Sequence, residues 1–292
     1  MNKLIIILLI LLPLPSVAQH GKKKESDAKG TIFGYWGYNV SGYTKSNIRF
    51  VGPDYDFTLG GAKAHDRPEL DPNVYFNLSK LTIPQFNARV GYYFKDHWAL
   101  SFGYDHMKYI FADKNEVTLS GVIDEGVGSE WSGSYIGEQV ITNTEDFHYE
   151  NSDGLNYLRF ELTRTDKLLA FGQNDWLAVS TNVGVALGGI LSFNDFTFGK
   201  DKEGIPDKDV TTVSLSGYGI SGHASLRFEF FRHVFLQASA GGGFHHQVKV
   251  RNRPLDPSAF TRHAYGYASF ESVLGFLFYI KGKNKCDSCP NW

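Results

Sequence analysis

Period-two alternation of apolar and polar side chains is the feature of this sequence that most restricts its fold. In residues 86–94, Phe86 and Val90 share one face of an extended chain, whereas Asn87 and Arg89 share the opposite face. Successive side chains of a β-strand point to opposite faces, so this period indicates a strand with one apolar side. A helix would instead bring apolar side chains together every three or four residues.

Seven segments of the sequence show this alternation, and an eighth, residues 31–43, is rich in Gly, Tyr and Trp and has less clear faces. Each is about as long as a tilted membrane-spanning strand, which takes roughly 9–11 residues. The predicted strands lie in residues 31–43, 81–94, 98–105, 156–163, 176–191, 214–230, 234–241 and 264–279.

The connections between these segments alternate between long and short. The long or polar ones are residues 44–80, 113–153, 197–208 and 251–262, and the shorter ones are 95–97, 165–175 and 231–233. Outer-membrane barrels have long extracellular loops and short periplasmic turns. The sequence therefore predicts an all-β fold over residues 31–280, an eight-stranded antiparallel up-and-down transmembrane β-barrel with long extracellular loops. Residues 116–122 alternate as well, which predicts a hairpin above the membrane.

The polar faces of the segments argue against a soluble barrel or sandwich. A soluble β-protein buries its apolar face and exposes its polar one. Here the polar face combines Gly, Ala and Ser with Arg and Glu, which suits the narrow interior of a small barrel. The predicted polar network of the lumen consists of Arg89, Asp105, Arg159, Glu161, His223, Arg227, Glu229 and Glu271. Buried charges are costly unless paired, so the network is interpreted as a salt-bridge plug, with a polar path for small solutes as the alternative.

Composition agrees with this interpretation. The chain has 23 Phe, 16 Tyr, 5 Trp and 31 Gly, and strands favour aromatic side chains. Its 29 basic and 31 acidic side chains leave no basic surplus, so no nucleic-acid partner is expected.

The first 18 residues have the layout of a secretory signal peptide. Lys3 precedes an apolar run over residues 4–12, and Ala18 is the small residue before a cleavage site. A run of this length is too short to cross a bilayer as a helix, which takes about 20 residues. We therefore expect a cleaved signal peptide, secretion to the outer membrane and a short polar periplasmic leader over residues 19–30.

The end of the sequence predicts a periplasmic tail over residues 281–292. Its Cys286 and Cys289 are the two cysteines of the chain, and an oxidising periplasm favours a local disulfide between them. Two thiols fall short of the four ligands of a usual structural zinc site. No metal site and no cofactor are therefore predicted.

One strand–turn–strand stretch carries a family resemblance. Residues 91–109 read GYYFKDHWALSFGYDHMKY, which resembles the small outer-membrane barrels of the OmpW/OmpA-like class. The resemblance covers most of residues 31–280, and the tail at 281–292 departs from it. It implies eight strands, a narrow or plugged lumen and variable outer loops.

A weaker candidate site lies where a predicted strand meets an outer loop. His148, Glu150 and Ser152 share one face if this segment is extended. The segment resembles a strand-end element of PagL-type lipid A deacylases, in which a His and a Ser two residues apart act as base and nucleophile. Glu150 occupies the position of that His, so no catalytic residue is assigned. The alternative is a polar loop shoulder ending at Gly154.

The sequence thus predicts a non-enzymatic barrel with a role in envelope structure, surface interaction or limited passage of small solutes. A PagL-like lipid A-modifying hydrolase is the alternative, so enzymatic activity stays open. Outer-membrane lipid, lipopolysaccharide and the barrel-assembly machinery are the expected partners. An extracellular ligand would bind through the loops 44–80 and 113–153, because loops on a rigid scaffold carry binding.

Overall fold

The computed structural model describes residues 28–69, 72–75, 77, 84–127, 129–172, 175–199 and 211–280. The predicted signal peptide, most of the leader and the tail with Cys286 and Cys289 lie outside these residues. Within them, no helix has both the length and the apolar character needed to cross a membrane.

The described part of the chain is dominated by thirteen strands. In chain order they are β1 (Thr31–Tyr43), β2 (Ser46–Gly52), β3 (Tyr55–Ala62), β4 (Ala64–His65), β5 (Phe86–Lys95), β6 (Trp98–Phe111), β7 (Glu116–Ile123), β8 (Gly133–Ile141), β9 (Phe147–Phe171), β10 (Leu177–Phe198), β11 (Thr212–Phe230), β12 (Val234–Arg251) and β13 (Phe260–Tyr279). A single helical turn, α1 (Pro72–Tyr75), lies between β4 and β5.

Eight of these strands form a closed antiparallel ring. The ring runs β1, β5, β6, β9, β10, β11, β12 and β13, and β13 pairs with β1 to close it. The closing pair extends from Thr31 opposite Tyr279 to Tyr43 opposite Tyr267. Ring neighbours follow one another along the chain once β2–β4, β7 and β8 are set aside. The predicted eight-stranded up-and-down barrel is confirmed.

The strand bounds agree with the sequence in β1 and differ most in β9. Strand β9 continues to Phe171, so the predicted turn over residues 165–175 is wrong for its first part. The cross-strand ladder with β10 explains the difference, because it extends down to Phe171 opposite Leu177. Strand β5 begins at Phe86 rather than at residue 81.

The predicted outer loops contain strands of their own. Above the barrel β13 leaves β1 and pairs with β2, and the sheet continues through β3, β7 and β8. The short β4 pairs with the outer end of β6. Strands β7 and β8 form the hairpin predicted in the second loop. We call β2, β3, β4, β7, β8 and the outer ends of the ring strands the outer extension.

Aromatic packing forms the core of the outer extension. The ring of Phe50 lies 5.2 Å from that of Phe57 and 5.1 Å from that of Phe147, measured between centroids. Phe198 packs 5.1 Å from Phe57 in the same cluster. Each of these four side chains is almost fully buried. Their burial makes the extension a folded body rather than a set of open loops, because burying apolar area stabilises the folded chain.

The ring strands expose apolar side chains on the outside of the barrel. Val183, Val185 and Leu187, alternate residues of β10, are 60%, 62% and 61% exposed. Other strands of the ring continue this apolar belt with Val90, Phe102, Phe160, Ile220, Leu236, Phe270, Leu274 and Phe276. So large an exposed apolar surface is unfavourable in water and favourable in lipid. A transmembrane barrel has this outward-facing apolar band.

Candidate functional site

The middle of the lumen contains a layer of buried charges from three adjacent strands. Arg89 on β5 places Nη2 3.0 Å from Asp105 Oδ1 and Nη1 2.7 Å from Glu161 Oε2. Arg159 on β9 places Nε 2.7 Å from Asp105 Oδ2. All four side chains are at most 5% exposed. Each charge therefore has an opposite charge beside it, which offsets the cost of its burial.

Two further side chains join this charged layer from the other side of the barrel. Glu271 on β13 lies 3.5 Å from Arg159 Nη2, and His223 Nδ1 on β11 lies 3.4 Å from Glu161 Oε2. Polar neighbours complete the layer, because Arg159 also donates to Ser221 Oγ at 2.8 Å. The structure thus brings together six of the eight predicted lumen residues.

Glycines in the barrel wall make room for the charged layer. A Cβ on Gly103 of β6 would lie 2.5 Å from Nε of Arg89. A Cβ on Gly184 of β10 would lie 2.4 Å from the ring of His223. Real Cβ atoms do not approach other atoms so closely, so any side chain at these positions would displace the charged group.

Arg227 and Glu229 lie outside the charged layer, nearer the periplasmic end. Arg227 donates to Gln237 Oε1 at 2.9 Å and to the Tyr93 hydroxyl at 3.1 Å. Its guanidinium lies 4.1 Å from the ring centroid of Phe235, a cation–π contact. Glu229 accepts a hydrogen bond from Ser180 Oγ at 3.3 Å. These residues form a separate layer with the aromatic rings of Tyr93 and Phe235 in the periplasmic part of the lumen.

An aromatic layer containing His245 fills the lumen on the extracellular side of the charges. The ring of His245 lies 4.5 Å from that of Tyr267 and 4.9 Å from that of Tyr157. His245 points inward, whereas the adjacent His246 points outward against Tyr218. Sequence reasoning did not single out this layer, although alternation places Tyr157 on the inner face. The predicted lumen network was selected by charge, so it left out these uncharged aromatic rings.

A second polar cluster lies on the outer surface, where β9 and β10 extend beyond the apolar belt. Ser152 Oγ donates a hydrogen bond to Glu150 Oε1. His148 Nε2 lies 3.5 Å from Glu150 Oε2 and 3.9 Å from Asp195 Oδ2. The structure therefore brings His148, Glu150 and Ser152 together, and adds Asp195. Alternation alone could not find Asp195, because its position depends on the register of β10 against β9.

The contact between His148 and Glu150 shifts the pKa values of both side chains. The hydrogen bond to Glu150 raises the pKa of His148 above its usual value. The same contact lowers the pKa of Glu150, with a smaller contribution from Ser152. Catalysis by a Ser–His pair needs the base within hydrogen-bond reach of the hydroxyl. In this cluster the serine hydroxyl contacts Glu150, and the lowered pKa makes that carboxylate a weak base.

Together, the closed ring, the apolar belt and the filled polar lumen define a small transmembrane β-barrel of the outer-membrane type. No protein-family model matches the sequence, and no curated protein matches it.

Solved structures of outer-membrane proteins are similar to this chain at low identity. The outer membrane protein OprG from Pseudomonas aeruginosa is 10% identical over 86% of this chain and 97% of its own, with a TM-score of 0.37. The outer membrane protein AlkL in lipid bilayers is 9% identical over 88% and 94%, with a TM-score of 0.38. Ail, the attachment invasion locus protein of Yersinia pestis, is 10% identical over 86% and 99%, with a TM-score of 0.29.

Proposed function

We propose that the protein is a non-enzymatic outer-membrane barrel that holds a folded extension at the cell surface, with a role in envelope structure or surface interaction. The observation that carries this proposal is the series of buried side-chain layers along the lumen. The charged layer around Arg89 and Arg159 lies between aromatic layers at Phe235 and His245. The barrel therefore serves as an anchor for the outer extension.

Passage of small solutes is disfavoured by the same packing. A solute would have to separate Arg159 from Asp105 and Glu271, and breaking a buried ion pair costs about 3–5 kcal/mol. It would also have to displace ring layers at both ends of the lumen. Eight strands leave an interior that side chains can just fill, which leaves little room for a solute beside these contacts.

The proposed partners follow from the two surfaces of the molecule. The apolar belt would contact outer-membrane lipid, including lipopolysaccharide, and insertion would require the barrel-assembly machinery. The loop residues 44–80 and 113–153 supply β2–β4, β7 and β8 of the outer extension. We propose these strands as the surface for an extracellular ligand, because they project beyond the rigid ring.

Conductance across planar lipid bilayers tests the proposal. The refolded protein should give no steady single-channel conductance, while heat-modifiable gel mobility shows that it is folded. The matched variant Arg159→Ala removes the centre of the charged layer and should raise the frequency of conducting events. Steady ion conductance by the folded wild type, altered by Arg159→Ala, would contradict the proposal and favour solute passage.

The rival function, a lipid A-modifying hydrolase, is favoured by one contact. Ser152 Oγ donates a hydrogen bond to Glu150, and Glu150 in turn contacts His148 at the outer border of the apolar belt. Mass spectrometry of lipid A from cells making the wild type, Ser152→Ala or the control Ser134→Ala separates the two functions. Our proposal predicts the same lipid A in all three. Loss of an acyl chain in the wild type and the control, but not in Ser152→Ala, would establish the hydrolase instead.

A further inference from the structure

The outer polar cluster is built on one cross-strand pair. Glu150 of β9 lies directly opposite Asp195 of β10, and His148 lies opposite Thr197 two residues further out. Directly opposed residues share a face of the sheet, and so do residues two positions apart on one strand. The three side chains therefore converge on one spot of the outer surface.

A break in the strand ladder places Asp195 at this spot. The register between β9 and β10 shifts between Ser192 and Asp195, where residues 193 and 194 lie opposite residues 151–154. Such irregularities bend a strand and re-aim its side chains. Without this shift, the pairing of β10 would bring a different residue opposite Glu150.

The facing carboxylates of Glu150 and Asp195 would be stabilised by a cation between them. Like charges directly opposite each other on neighbouring strands are destabilising. Among the described residues, His148 contacts both carboxylates, and Arg67 acts electrostatically on Glu150. A metal ion would supply the two positive charges that neutralise Glu150 and Asp195.

The donor atoms have the spacing of a metal site. One donor atom each from His148, Glu150 and Asp195 lies within 4.8 Å of the other two. Metal–ligand bonds of about 2.0–2.2 Å place the ligand atoms of a tetrahedral ion about 3.5 Å apart. The separations of His148 Nε2 from Glu150 Oε2 and Asp195 Oδ2, 3.5 and 3.9 Å, are already close to this value.

We propose that His148 Nε2, Glu150 Oε2 and Asp195 Oδ2 bind a divalent transition-metal ion of the zinc class on the outer surface. An imidazole with two carboxylates suits zinc, whereas magnesium and calcium take oxygen ligands. The three side chains are 16–32% exposed, which leaves a coordination position open to water. The other carboxylate oxygen, Glu150 Oε1, keeps its hydrogen bond from Ser152 Oγ. The ion ties β9 to β10 where their ladder is interrupted.

Calorimetric titration with zinc chloride tests this site. The full chain, refolded in detergent, carries Cys286→Ser and Cys289→Ser so that its thiols do not compete for the metal. We expect one zinc ion per chain, with an affinity at least about tenfold weaker in His148→Ala and in Asp195→Asn. The control His65→Ala removes an exposed histidine of β4 and should leave the affinity unchanged.

Two further observations keep the result interpretable. Asp195→Asn preserves the shape of the side chain, and heat-modifiable mobility verifies that each variant is folded. Acidification should also weaken zinc binding, because His148 must lose its proton to bind. The proposal is overturned if the folded protein takes up no zinc, or if His148→Ala and Asp195→Asn bind it as tightly as the parent chain.

Discussion

Arg89 Nη1 of β5 donates a hydrogen bond to Glu161 Oε2 of β9, 2.7 Å away, although strand β6 lies between the two. The contact crosses β6 beside Gly103, which has no side chain to obstruct the guanidinium. A hydrogen bond between β5 and β9 stabilises the register of these two strands and of β6 between them. The charged layer is therefore a structural element of the barrel as well as its plug.

Removing Arg89 should strongly destabilise the barrel. Arg89→Met leaves Asp105 and Glu161 short of a buried cation, which costs about 3–5 kcal/mol. The measurement is the free energy of unfolding by urea in lipid vesicles. The control Arg49→Ala breaks a half-exposed pair with Asp56 and should cost about 0–1 kcal/mol. Equal losses in the two variants would show that the charged layer does not stabilise the fold.

A side chain at Gly103 should have a similar effect by a different route. Gly103→Leu places a Cβ 2.5 Å from Arg89 Nε, so the guanidinium must move, and overpacking typically costs about 1–3 kcal/mol. Gly34→Leu is the matched control, because the nearest atom to its Cβ is 3.7 Å away. The same urea titration in vesicles measures both, and a larger loss at Gly34 would refute the close approach at Gly103.

Charge on the apolar belt should be penalised according to its position. Val185→Arg puts a guanidinium among lipid-facing residues and should cost about 2–4 kcal/mol. Ile136→Arg on β8, 95% exposed in the outer extension, should change stability by no more than about 0.5 kcal/mol. Unfolding in vesicles measures the difference. A belt that faced water would make the two substitutions equivalent.

The contact between His148 and Glu150 should make local stability depend on pH. The raised pKa of His148 contributes stability at low pH that is lost as pH rises through that pKa. The lowered pKa of Glu150 contributes stability that is lost as pH falls through it. The link is therefore strongest between the two pKa values. In metal-free protein, NMR of His148 should give a pKa above 6.5, which Glu150→Gln lowers and the control Ser134→Ala does not. An unchanged pKa in Glu150→Gln would refute the coupling.

The barrel was predictable from the sequence because its strands carry a strong local signal. A strand between lipid and a polar lumen alternates along its length, so the sequence located the eight strands of the ring, although the predicted β6, β9 and β12 are shorter than in the structure. The inward direction of Arg89, Arg159 and Glu161 follows from the same rule. Alternation gives the face of a residue but not its depth. The sequence therefore could not show that Glu229 lies beside Ser180 rather than in the charged layer.

The outer extension was less predictable, because its pairing depends on contacts far apart in the sequence. Strand β2 pairs with the outer end of β13, more than 200 residues later. No local period reveals such a partner, so β2 and β3 fell within a predicted loop. The position of Asp195 opposite Glu150 has the same origin, since it follows from a register shift between β9 and β10.

Lipid exposure along β10 tests the central claim most directly. Spin labels at single cysteines over residues 182–187, in a chain with Cys286→Ser and Cys289→Ser, report collisions with oxygen dissolved in lipid and with a water-soluble nickel complex. We predict high oxygen accessibility at Val183, Val185 and Leu187, and low accessibility to both reagents at Asn182 and Ala186. Nickel collisions at Val183, Val185 and Leu187, or an accessibility profile without a two-residue period, would contradict the transmembrane barrel.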